Sequence, residues 1–77
     1  MKYEKTIPRK VRVSRYSLIR AIFRAEMDDN VMIHITLNEM YNEFCAQEKK
    51  TKHNITVLSF DVNNDNEKAI EYIVNAS

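Results

Sequence analysis

Residues 9–27 read RKVRVSRYSLIRAIFRAEM, and here a structural pattern coincides with a concentration of charge. Val11 and Val13 alternate with Lys10, Arg12 and Ser14, the period of a strand buried on one side. From Leu18 the apolar residues change to helical spacing at Leu18, Ile22 and Ala25, with Ala21 beside them and Ile19 and Phe23 widening the stripe. Arg20 and Arg24 fall on the opposite side, one turn apart. A short strand from Lys10 to Ser14 therefore runs into a basic helix. Ser14 or Ser17 is placed to cap that helix by accepting an orphan backbone N–H.

Working outward, residues 1–8 carry no period, and Pro8 cannot donate a ladder hydrogen bond. They read as a leader or edge segment, expected to be mobile, ahead of a single domain over residues 9–77. On the other side, Asp28-Asp29-Asn30 is a turn that ends the helix. The run Val31 to Ile35 is too short and too apolar for periodicity to separate strand from helix, and its β-branched content favours a strand. Thr36 and Glu39 then match a capping box. It would open a second helix with Leu37, Met40, Tyr41, Phe44 and Cys45 on its stripe, fading among the cations of Glu48 to Lys52. Ile55 to Val62 reads as the longest strand, apolar on both sides and so placed centrally. Asp65 or Asn64 caps a last helix that buries Ala69, Ile70, Ile73 and Val74. The expected order is β-α-β-α-β-α, an α+β domain with a short sheet packed by helices.

Seventy-seven residues leave room for one small core, and 44% apolar with 30% charged residues is the composition of a globular chain. The sequence contains no glycine. Phosphate loops and dinucleotide fingerprints built on glycine are thereby excluded, and turns needing positive φ must use Asn or Asp. No apolar run approaches the ~18 residues of a membrane span, and the first residues lack the apolar core of a signal peptide. The single cysteine, Cys45, cannot form an internal disulfide, which agrees with a cytoplasmic setting, and it reads as a small buried residue on a helix face.

Chemistry finds little support. Asp61, Asn63 and Asp65 alternate like the first ligands of a calcium loop, but Asn66 stands where the loop needs glycine and Tyr72 where it needs a bidentate Glu. His34, Cys45 and His53 match no zinc or Cys-His spacing, and Glu39 and Glu43 share a solvent face. No metal, cofactor or catalytic residue is assigned, and the expectation is a protein that is not an enzyme.

Charge is what remains. Residues 1–25 hold eight Lys and Arg against one Glu, and residues 26–77 hold four against ten Asp and Glu, so a net +1 conceals halves of +7 and −6. Either the halves satisfy each other across the fold, or a cationic surface faces an anionic partner. On the second view Arg9, Lys10, Arg12, Arg15, Tyr16, Arg20 and Arg24 form the binding face, because arginine forms planar bidentate contacts with carboxylate and phosphate. Tyr3, Tyr16 and Phe23 supply aromatic anchors nearby. The expected function is an inhibitor or regulatory adaptor, of the size and composition of small phage and mobile-element proteins, docking on an acidic surface of a larger protein or complex. Membrane is not an expected partner.

Lys10, Arg12 and Ser14 on a strand followed at once by a helix also resemble the opening of ribbon-helix-helix repressors, over residues 10 to about 44. The resemblance implies a dimer whose paired strands enter the DNA major groove, with Lys10, Arg12 and Ser14 contacting bases. It requires the second helix to absorb Val31 to Ile35, it finds Asp29-Asn30 where that family commonly has a turn glycine, and it leaves the segment from Ile55 onward without a counterpart. Nucleic acid is accordingly the alternative partner.

Overall fold

The computed structural model describes residues 9–76, so the expectation for residues 1–8 lies outside the described residues. The chain is an α+β domain with the order β1 (Arg9–Ser14), α1 (Arg15–Met27), α2 (Val31–Thr51), β2 (Val57–Val62) and α3 (Glu67–Ala76). The two strands pair antiparallel, with Val11 opposite Phe60 and Val13 opposite Leu58 on the inner face. Lys10 opposite Asp61, Arg12 opposite Ser59 and Ser14 opposite Val57 form the outer face. Apart from half-buried Ser14, these outer residues are exposed.

Strand gives way to helix at Ser14, whose extended backbone and side-chain oxygen form the N-cap of α1. Its Oγ accepts from the Ser17 N–H at 3.1 Å, and the Ser17 hydroxyl donates back to the Ser14 carbonyl at 3.2 Å. At the other end Asp29 adopts φ 57°, the left-handed conformation usually given to glycine, and the Asn30 N–H reaches back to the Ala25 carbonyl at 2.9 Å. An Asp thus makes the turn in a chain without glycine.

Val31 to Ile35 is not a strand but the first turn and a half of α2. Asn30 caps it, accepting from the Ile33 N–H at 3.3 Å. Ile33, Leu37, Met40 and Phe44 then fall on one buried helical stripe, while Val31, Met32 and Ile35 stay exposed. The strand preference of β-branched residues amounts to a few tenths of a kcal/mol each, and burial of one continuous stripe outweighs it. The expected capping box therefore dissolves: Thr36 lies inside the helix and its hydroxyl donates to the Met32 carbonyl at 3.1 Å. The cations Lys49 and Lys50 do occupy the last turn, and Lys52 closes it at φ 61°.

With that strand gone, β2 has one partner and one covered face. It is neither central nor longer than β1, and Val57 and Ser59 look outward. Three further expectations fail on burial. Phe23 lies outside the core of α1, Val74 outside that of α3, and Cys45 is exposed on α2. Nor do Asp65 or Asn64 cap α3. Asn63 accepts from the Asp65 and Asn66 N–H groups at 2.9 and 3.1 Å, and the Asn66 carbonyl receives the first helical bond, from Ile70.

The core gathers Val13, Leu18, Ala21, Ala25, Ile33, Leu37, Met40, Phe44, Ala69, Ile70 and Ile73, with Phe60 tilted against Phe44 at 6.2 Å between ring centroids. Helix α1 packs against both α2 and α3. Its fully buried Ala21 and Ala25 explain why: small side chains on that stripe let two helices approach closely. One side of α1 is therefore consumed by the fold, and the other carries Tyr16, Arg20 and Phe23 into solvent.

Candidate binding surface on the basic face

The residues expected to form one cationic face are divided by the structure into three groups. Arg15 turns inward. Its guanidinium pairs with Glu48 at the end of α2, donates to the Tyr41 hydroxyl at 3.2 Å and to the Ile55 carbonyl at 3.3 Å, and stacks on the Tyr41 and Phe44 rings. Burial works against the charge, but the hydrogen bond to Tyr41 and the attraction of Glu48 outweigh it, so the Arg15 pKa lies above the ordinary arginine value. This side chain ties α1 to α2 and to the segment entering β2 through three hydrogen bonds within the fold.

Lys10 and Arg12 stand on the outer face of the two-stranded sheet. Lys10 forms an ion pair with Asp61 at 2.8 Å, both side chains being about two-thirds exposed. Such a pair contributes little to stability, but it places a carboxylate among the cations of that face. Arg12 has no ion-pair partner among the described residues. Arg9, at the open end of β1, lines a groove along α3 with Glu67, Ile70, Glu71 and Val74.

Tyr16, Arg20 and Arg24 form the third group. Arg20 lies over the Tyr16 ring at 5.6 Å and donates to its hydroxyl at 3.4 Å. Arg20 and Arg24, one turn apart on α1, line a cleft of about 230 Å³ between α1 and α3 together with Asp28, Tyr72, Asn75 and Ala76. Part of their placement has an internal cause, because the carbonyl end of α3 favours cations beside it. Among the described residues, two of the six N-terminal cations, Lys10 and Arg15, have a carboxylate partner within 4 Å. Among the described residues, direct pairing between the halves of the chain is confined to those two, and Arg9, Arg12, Arg20 and Arg24 have no ion-pair partner.

The periodicity concealed a second stripe. Tyr16, Arg20, Phe23 and Met27 are spaced by four, three and four residues, one line along α1 opposite its buried face. Tyr16 is 68% exposed, Phe23 62% and Met27 81%, and Val31 and Met32 continue the exposed apolar surface across the turn. The signal was present in the spacing, but grouping Phe23 with Leu18 hid it. Packing chose the alanine-bearing stripe for the core, because only that one admits two neighbouring helices closely.

Elsewhere the described residues offer less chemistry. No group of three or more His, Cys, Asp and Glu is arranged to hold a metal ion. The His34 ring nitrogen bonds to Asn38 at 3.0 Å, and His53 is exposed in the connection to β2. No described helix is long and apolar enough to cross a membrane. No protein-family model matches the chain, and neither the curated proteins nor the solved structures give a significant match.

Proposed function

We propose that this chain is a non-enzymatic binding protein, an inhibitor or regulatory adaptor acting in the cytoplasm, that docks the outer face of α1 on an acidic surface of a larger protein. The observation that carries this is the composition of that face. Arg20 and Arg24 lack carboxylate partners among the described residues and stand beside exposed Tyr16, Phe23 and Met27. Arginine, aromatic residues and methionine are the side chains enriched at the centres of protein interfaces. The arginines supply long-range attraction and register, and the apolar groups supply burial. Arg9 and Arg12 add to the positive field at the rim, and Arg15 acts only through the fold.

One observation favours nucleic acid as a second reading. Because Val31 to Ile35 belongs to α2, the described residues from Arg9 to Thr51 run strand-helix-helix, the order that the resemblance to ribbon-helix-helix repressors requires. Against it, β1 pairs with β2 of its own chain, where that family pairs with a second chain, and Asp61 sets a carboxylate beside Lys10 on the face that would meet DNA.

The test is binding of the purified protein to duplex DNA across a salt series with light scattering on the same sample, followed by capture from host lysate. The protein reading expects no salt-sensitive DNA affinity, and capture that is lost in the Arg20→Glu, Arg24→Glu double variant but kept in Lys68→Glu on α3. A dimer whose DNA affinity falls steeply with salt, and weakens with Arg12→Ala, would replace it by the repressor reading.

A further inference from the structure

We infer that the cleft between α1 and α3 is a receptor for a peptide carboxylate, an Asp or Glu side chain of the partner held by Arg20 and Arg24 together. This rests on the reading of the basic face as a protein-docking surface and names the group it captures. Two arginines one turn apart have Cβ atoms about 5–6 Å from each other, close enough for both guanidiniums to reach one anion. The cleft they line is about 230 Å³, room for one short acidic side chain, and Asn75 brings an amide to the same space.

A neighbouring contact keeps the pair open. Asp28, the C-cap of α1, stands four residues after Arg24, one turn along and a candidate internal partner for it. They do not pair here. The Asp28 carboxylate instead accepts a hydrogen bond from the Tyr72 hydroxyl of α3 at 2.8 Å, and no ion pair joins it to Arg24. Arg20 is likewise committed only to Tyr16, a ring contact and one hydrogen bond that leave most of its five N–H donors available. Tyr72 is therefore a positioning residue: it engages the carboxylate of Asp28, which itself lines the cleft, and so leaves Arg24 without an internal ion-pair partner for an external carboxylate to meet. A carboxylate borne on a peptide fits better than a nucleic-acid phosphate because exposed Tyr16 lies against Arg20 and exposed Phe23 adjoins Arg24 in the chain, offering cover to apolar neighbours of the acidic residue.

The experiment is titration of the intact protein with a short polyglutamate peptide, followed by NMR of the arginine Nε–H, Asn75 side-chain and backbone amide signals, with duplex DNA as the comparison probe. Saturable shifts at Arg20, Arg24 and Asn75 are expected. Arg24→Lys, which keeps the charge and removes the planar fork, should weaken the peptide about tenfold. Tyr72→Phe should weaken it severalfold by freeing Asp28 to occupy Arg24, and Asp28→Asn in that background should restore it. Asp28→Asn with Tyr72 kept should gain much less than it does in the Tyr72→Phe background, and equal gains in the two backgrounds would overturn the positioning role. Peptide shifts that centre on Arg9, Lys10 and Arg12 would overturn the cleft while keeping an acidic partner. Shifts at Arg20 and Arg24 with DNA but not with peptide would overturn both, as would no saturable shift at any arginine.

Discussion

Replacing Arg15 by Ala tests whether this arginine belongs to the fold or to the surface. The side chain is 24% exposed, and the substitution removes a charged hydrogen bond to Tyr41, another to the Ile55 carbonyl, the pair with Glu48, and stacking on Tyr41 and Phe44. Hydrogen bonds to charged groups contribute roughly 1.5–3 kcal/mol when well desolvated and partly exposed pairs under about 1, so a net loss of about 2–3 kcal/mol is expected. In a domain this small each kcal/mol moves Tm by about 4–8 °C, which places the fall at roughly 10–20 °C. Arg15→Lys, retaining charge without the fork, should lose about half of that. Glu48→Ala also removes the acceptor of the Ile55 N–H, so a double-mutant cycle with Arg15→Ala is needed to isolate the pair; coupling on the order of 1 kcal/mol is expected. Because the Arg15 pKa is raised, its stabilisation is fully present below the ordinary arginine value and is lost only as pH climbs through the higher folded one. The Tm deficit of Arg15→Ala should therefore be constant from neutral to mildly alkaline pH. Thermal denaturation followed by circular dichroism reads all of this. A fall below about 4 °C, no larger than an exposed arginine gives, would refute the inward assignment.

Further expectations follow from burial and caps. Ser14→Ala should cost about 1 kcal/mol, seen as a Tm fall of several degrees, because it removes the acceptor for the Ser17 N–H at the start of α1. Phe44→Ala, which empties a fully buried position, should cost about 3–5 kcal/mol by denaturant titration, whereas Phe23→Ala at an exposed position should stay within about 0.5. Val31→Ala should leave stability unchanged or slightly raised in the same titration, since an exposed Val in the first turn of a helix gains from the replacement. A marked loss there would instead point to a buried strand.

Much of the scaffold was legible in the chain. The alternation of Val11 and Val13 with Lys10 and Arg12, the Ser14 cap and the Asp28-Asp29-Asn30 turn depend on neighbours within a few residues, and each forms as those neighbours dictate. Local sequence also determined the α+β class, the end of α2 among its lysines, and the concentration of arginine near the N-terminus. The tertiary structure decided the rest. Val31 to Ile35 can serve either period, and it became helix because Ile33 extends a stripe that Leu37 and Phe44 bury against the other elements. Helix α1 offers two apolar lines, and packing against α2 and α3 selected the one with Ala21 and Ala25, leaving Tyr16 and Phe23 exposed. Arg15 and Arg24 are indistinguishable by composition. One meets Glu48, thirty-three residues away, and the other meets an open cleft, a difference made by contacts distant in sequence that no local period encodes.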